Sequence, residues 1–247
     1  MKRKINLFVL GLVIVNFSFA QNKNSFPDYI GIKAGLSIPN LLSSSNDPLS
    51  KGFKSRLGLD AGAFIELPFN KHFSFQTGLS YSEQGGKRNG YQAIRPNTTP
   101  AGSYDYSDVK NTNKFNYLLL PIQLKYKVAV CSKTNFYAAA GFFGGYLLSA
   151  KNVLEGDQSI DIVLSNGVSM PTGQFMSNNT QNIYSNIHKF NVGFIAAVGF
   201  EYITSMGKWF VEGGGNYGFI PIQIDATNGK NNIGAGTVSL GYAMKLK

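Results

Sequence analysis

Lys189-Phe190-Asn191-Val192-Gly193-Phe194-Ile195-Ala196-Ala197-Val198-Gly199-Phe200-Glu201-Tyr202-Ile203 has a period of two. One face carries Phe190, Val192, Phe194, Ala196, Val198, Phe200 and Tyr202. The other carries Asn191, Gly193, Ile195, Ala197, Gly199 and Glu201. Alternation sustained this far describes a strand roughly twice the ~5–6 residues usual in soluble sheets.

Asn116–Val128 repeats the pattern, with Leu118, Leu120, Ile122, Leu124, Tyr126 and Val128 on one face and Tyr117, Leu119, Pro121, Gln123, Lys125 and Lys127 on the other. Six further segments read the same way: Tyr29–Ile38, Arg56–Leu67, Phe73–Tyr81, Asn135–Leu148, Trp209–Gly218 and Gly236–Leu246. Asn135–Leu148 is ambiguous, being apolar or small on both faces. The connectors alternate in length. Asn70-Lys71, Cys131–Thr134 and Ser205–Lys208 are tight, whereas 39–55, 82–114, 149–188 and 219–235 are long and rich in Asn, Ser, Gly and Pro.

Eight strands joined this way predict an all-β, antiparallel up-and-down transmembrane barrel with short periplasmic turns and long extracellular loops. In lipid every backbone amide needs a partner, so a spanning sheet must close on itself. Phe73, Tyr81, Tyr126, Tyr146, Phe190, Tyr202, Trp209, Tyr217 and Tyr242 are placed to form the interfacial girdles. The competing fold is a soluble, lipocalin-like barrel, whose interior is apolar and exterior polar. The glycines and charges of the polar stripe and the long loops at one end favour the membrane form.

The composition agrees. Charged residues make up 15% of the 247 and aromatics 13%, with 28 glycines; soluble domains average ~25% charged. A mean hydropathy of −0.07 is too polar for a helical membrane bundle. One cysteine, Cys131, permits no intrachain disulfide, and two histidines leave little for metal or triad chemistry. The expected layout is a cleaved secretory signal over 1–20, a periplasmic lead over 21–28 and the barrel over 29–247. Lys2, Arg3 and Lys4 form the basic region of the signal, Ile5–Val15 its apolar region, and Ser18-Phe19-Ala20 the cleavage signature, with cutting between Ala20 and Gln21. An anchor helix is the other reading of this segment, but it is short for a ~20-residue span. Cleavage takes the formal net charge from +10 to +7, spread singly rather than in a nucleic-acid-binding run.

Three stretches carry a family likeness. Gly31-Ile32-Lys33-Ala34-Gly35-Leu36-Ser37, Gln76-Thr77-Gly78-Leu79-Ser80-Tyr81-Ser82-Glu83-Gln84-Gly85-Gly86-Lys87 and Tyr117-Leu118-Leu119-Leu120-Pro121-Ile122-Gln123-Leu124-Lys125-Tyr126 resemble, in order, the first, third and fourth strands of the PorT-like outer-membrane β-barrel family, common in Bacteroidetes. The resemblance implies an outer-membrane barrel, with some members linked to protein secretion. Leu119 stands where that family often has glutamate, and Lys245-Leu246-Lys247 stands where such barrels usually end in an aromatic residue.

Little else in the sequence points to chemistry. Gly213-Gly214-Gly215-Asn216-Tyr217-Gly218 fits a dinucleotide fingerprint, but Phe219-Ile220-Pro221 follows in place of the helix such a site needs. His188 lies at the outer rim, where Asp105, Asp108, Asp157 and Asp161 could approach it as in a rim-located enzyme; His72 lies in a periplasmic turn. Asp157 and Asp161 lack the spacing of a calcium loop. No cofactor, metal or catalytic residue is assigned. The one site expected is a luminal ion network of Glu66, Lys125, Glu201, Glu212 and Lys245 plugging the periplasmic half, with Glu201 directly across from Glu212. A missing ladder bond or bulge is expected at Pro121. Residues 149–188 are expected to order with a partner or to extend the hairpin of strands five and six.

The expected partners are outer-membrane lipids, and proteins met through the loops or through the basic periplasmic turns (Lys23, Lys71, Lys127, Lys133, Lys208, Lys245, Lys247), with the barrel itself a monomer. The expected function is a plugged, non-enzymatic barrel acting by loop presentation or partner docking. A secretion or transport accessory is the alternative, ahead of a rim enzyme or a small pore.

Overall fold

The computed structural model describes residues 28–43, 48–94, 105–156, 159–163, 169–175, 179–225 and 229–246. The signal segment with Ala20 and Gln21, and Lys23, Asp157 and Lys247, lie outside them.

Eight strands form the ring: β1 (Tyr29–Ser43), β2 (Gly58–Pro68), β3 (Phe73–Arg88), β4 (Lys110–Cys131), β5 (Thr134–Glu155), β6 (Phe190–Ile203), β7 (Gly207–Gly218) and β8 (Asn231–Lys245). Each is antiparallel to its neighbours, and β8 closes on β1 from Tyr29↔Lys245 to Ser43↔Asn231. Closure leaves no edge to be satisfied in hydrocarbon. The periplasmic turns are tied locally. Asn70 accepts from the amides of His72 and Phe73 at 2.8 and 2.9 Å. In the β6–β7 turn the amide and hydroxyl of Thr204 both donate to the Gly207 carbonyl, at 2.7 and 2.9 Å.

The burial pattern separates the two barrel types. Ile32 is 66% exposed and Leu240 60%, while Lys125 and Lys208 are 2% exposed. A lipocalin-like barrel would show the inverse. The apolar stripe faces outward, where lipid is its solvent. Aromatic pairs cluster near both ends of the outer wall: Phe73 with Tyr126 (5.0 Å) and Trp209 with Tyr242 (4.8 Å) near the periplasmic end, Tyr146 with Phe190 (5.1 Å) near the outer end.

Inside, glycines face aromatics across the ladder. Gly31 pairs with Phe64, Gly241 with Phe210, Gly199 with Tyr137 and Gly193 with Phe143. A Cβ on Gly31 would stand 2.4 Å from the Phe64 ring, and one on Gly241 2.3 Å from that of Phe210. Each bare glycine therefore gives a large ring its place in a narrow lumen. Toward the outer mouth, Leu41, Phe115, Tyr117, Leu119, Phe143 and Leu147 form an apolar fill, capped by Ile187 and Ile222 from the loops.

The strands outrun the sequence reading. It stops at Tyr81, begins again at Asn116 and stops at Leu148, where the outward stripe turns polar. The ladders continue above that level, to Arg88, from Lys110 and to Glu155. Within 149–188, Asn179–Asn182 pairs with the extended end of β5, so this connector does lengthen the barrel wall. Ser159–Val163 and Ser169–Phe175 form a hairpin that joins a second one, Tyr91–Ile94 with Asp105–Asp108, through Tyr106↔Asp161. The two longest loops thus share a four-stranded sheet. At Pro121 the β3–β4 ladder breaks without changing register: pairing runs to Thr77↔Ile122 and resumes at Ser80↔Leu119.

Candidate functional site

The inward phase of four strands delivers charged side chains to the periplasmic half of the lumen. Glu66 lies two residues before the end of β2, Lys125 and Lys127 on β4, Glu201 near the end of β6, and Lys208 second on β7. Lys125 Nζ lies 3.3 Å from Glu66 and 3.0 Å from Glu201, and Lys208 Nζ 2.8 and 3.0 Å from the same two carboxylates. Lys127 reaches Glu66 at 3.1 Å. Ser74 donates to Glu66 at 2.9 Å and Asn135 to Glu201 at 3.0 Å. The ammonium groups also sit over rings, Lys125 over Tyr137 at 3.7 Å and Lys208 over Tyr29 at 4.3 Å.

Above this layer Phe64 meets Phe210 edge to face at 5.6 Å, with Tyr137 in the same cluster. A second ionic group follows. Glu212 binds Lys33 at 3.0 Å and accepts from the Tyr137 hydroxyl at 3.0 Å, and Asp60 is buried with Lys33 nearby. Lys33, Lys125, Lys127 and Lys208 thus oppose Asp60, Glu66, Glu201 and Glu212, an electroneutral filling. Buried charges are tolerated when each is paired and hydrogen-bonded; Glu66, Glu201 and Glu212 meet both conditions, and Asp60 is hydrogen-bonded to Ser82 with Lys33 nearby.

Two expectations need correcting. Lys245 is exposed at the periplasmic rim and joins none of the ion pairs among the described residues. It shares the inward phase of buried Ala243 but lies at the last rung, opposite Tyr29, below the cluster. Glu201 does not face Glu212: the register is Glu201↔Phe210 and Gly199↔Glu212. The second error comes from the β6–β7 turn. Thr204 closes it on Gly207, which centres the hairpin one residue earlier than the sequence reading and moves Lys208 from the turn into the strand. Lys208, the central cation the reading missed, was detectable as the residue two before Phe210 and four before Glu212 on one face.

The outer rim holds no comparable constellation among the described residues. The His188 Nδ1–H donates to the Pro221 carbonyl at 2.9 Å, and its amide donates to the Ile222 carbonyl at 2.8 Å, so it ties the 219–225 segment to the start of β6. Asp108 is exposed. No three His, Cys, Asp or Glu residues converge as a metal site among the described residues.

A family model described as an outer membrane protein beta-barrel domain matches residues 19–223. Solved structures similar in fold include Neisserial surface protein A, at 14% identity over 88% of this chain and 97% of that one, with a TM-score of 0.37. They also include Ail, the attachment invasion locus protein of Yersinia pestis, at 11% identity over 90% and 100%, with a TM-score of 0.38. The outer membrane protease OmpT from Escherichia coli is similar at 11% identity over 92% and 99%, with a TM-score of 0.44. No curated protein matches the sequence. With the match to that model spanning most of its length, the chain belongs to the outer membrane protein beta-barrel domain family and resides in the cell outer membrane.

Proposed function

We propose that this barrel is a sealed, non-catalytic platform that holds its outer loops at the cell surface for docking partners. The observation that carries this is the filled lumen: two ionic layers around an aromatic one, then an apolar cap. Eight strands enclose only enough space for side chains, and here that space is taken by ion pairs, aromatic rings and apolar side chains. The paired hairpins at 91–108 and 159–175 supply a platform, and a sheet built from two loops holds its shape better than either loop alone. His188, engaged with a backbone carbonyl, supports a structural rather than a catalytic part for the rim.

The test is conductance of the purified barrel in a planar bilayer. The expected trace shows no unitary steps; reproducible single-channel openings of the wild type would overturn the sealed-platform reading.

The PorT-like fourth strand, Tyr117–Tyr126, favours a second, finer reading as a secretion accessory. Deleting the gene would then leave exported cargo in the periplasm, and normal secretion in the deletion strain would exclude it.

A further inference from the structure

The outer wall carries two cross-strand pairs of like charge. Lys54 and Lys87 exchange backbone hydrogen bonds at 2.8 and 3.0 Å, which sets their side chains on one face. Lys114 of β4 stands directly opposite Lys151 of β5. Lys87 has the outward phase of Leu79 and Tyr81, since Ser82, Gln84 and Arg88 on the alternate positions are buried. Lys114 and Lys151 are likewise outward and exposed. The two pairs are contiguous: Gly85 of β3 is opposite Lys114, two residues from Lys87.

Like charges placed opposite one another on a sheet are destabilising, and this wall has two such pairs in adjoining positions. The carboxylates nearest them are engaged elsewhere. Glu83 binds Arg56 at 3.3 Å, and Glu155 binds Lys110. Among the described residues none of the four lysines has an ion-pair partner. Gly85, with φ +119°, is buried against the Asn113 backbone and puts no side chain between Glu83 and Lys87 on the outer face.

The height of the stripe says what meets it. Tyr81, Leu118, Tyr146 and Phe190 lie in one register row and mark the outer end of the apolar belt. Lys114 is four residues beyond Leu118, ~10 Å higher along the axis for a tilted strand. Lysine stems reach back toward the membrane from there. From Lys54 to Lys151 is three strand spacings, ~14 Å, a span suited to more than one phosphate.

We infer that Lys54, Lys87, Lys114 and Lys151 form a binding site for the phosphorylated saccharide headgroup of an outer-leaflet glycolipid. The site rests on outer-membrane residence and on these four side chains, and holds whether or not the loops dock a protein.

The probe is bis-phosphorylated lipid A doped into detergent micelles around the refolded barrel, with bound lipid counted by native mass spectrometry. The wild type should retain it, and retention should fall with added salt. Lys87→Gln/Lys114→Gln, at outward-facing positions, should bind roughly tenfold more weakly, while Lys71→Gln/Lys133→Gln at the other end should bind like the wild type. Lipid A stripped of its phosphates should bind the wild type as weakly as the intact lipid binds the Lys87/Lys114 variant. Full retention by that variant, or equal retention of the dephosphorylated lipid, would overturn the inference. So would a soluble sulfated polysaccharide that binds the stripe undisplaced by lipid A. A gel shift between heated and unheated samples confirms that each variant is folded.

Discussion

Lys208 Nζ lies 2.8 Å from Glu66 Oε2 in the lumen, although 142 residues separate them in the chain. The contact exists only because the sheet closes. β7 and β2 reach each other's side chains through the barrel interior, with β8 and β1 between them in the ring. An ion pair with both side chains essentially buried is worth little as an added attraction, but it is costly to break on one side.

Lys208→Met should therefore destabilise the refolded barrel by ~3 kcal/mol, the low end of the ~3–5 kcal/mol for breaking a buried pair, because Lys125 and Lys127 still hold the two carboxylates. Lys245→Met, at an exposed rim position, should stay within ~0.5 kcal/mol of the wild type. Urea unfolding in lipid vesicles measures both. The reverse order would put Lys245 rather than Lys208 in the lumen.

The upper ionic layer invites a double-mutant cycle. Lys33→Met leaves Glu212 with only the Tyr137 hydroxyl, and Glu212→Leu leaves both Lys33 and that hydroxyl short of an acceptor. The combined variant should cost less than the two single changes added together, by ~1–3 kcal/mol. Strict additivity would mean that the two side chains do not interact in the membrane.

Packing around the luminal glycines gives a third outcome. A methyl on Gly241 would collide with the Phe210 ring at 2.3 Å, and that ring is held by Phe64 at 5.6 Å. Gly241→Ala should cost ~1–3 kcal/mol by overpacking. Pairing it with Phe210→Leu should recover part of that loss. An unfolding midpoint unchanged by Gly241→Ala would show that the lumen has slack at this level.

How much of this was legible in the sequence follows from where the physics is local. The alternation in β4 and β6 is local, so strand number, phase and inward carboxylates could be read directly. The hairpin centre depended on a hydroxyl of Thr204 bonding to a carbonyl, and a displacement of one residue there moved Glu201 off Glu212 and hid Lys208. The extensions of β3, β4 and β5 carry no apolar stripe, because above the membrane both faces meet water or loop. The lysine stripe was invisible for another reason: its members lie in four separate stretches of chain, and only the register of those neighbouring segments assembles them.

Pro121 supplies the last prediction. Its ring nitrogen cannot donate, and the β3–β4 ladder lacks its pairs at that point. The Pro121 carbonyl is nevertheless satisfied, by the Thr77 hydroxyl at 2.8 Å. Thr77 has the outward phase of Leu79 and Phe75, so this hydroxyl replaces a ladder donor on the side facing lipid. Water, which would take over in a soluble sheet, is absent there. Thr77→Val removes the donor while keeping the shape, and should cost ~1–3 kcal/mol, the penalty for an unsatisfied buried carbonyl. Pro121→Ala restores a backbone N–H on the β3 side and lets the ladder close. In that background Thr77→Val should cost clearly less than it does alone. Equal costs in both backgrounds, measured by urea unfolding, would mean that the Thr77 hydroxyl does not compensate for the proline.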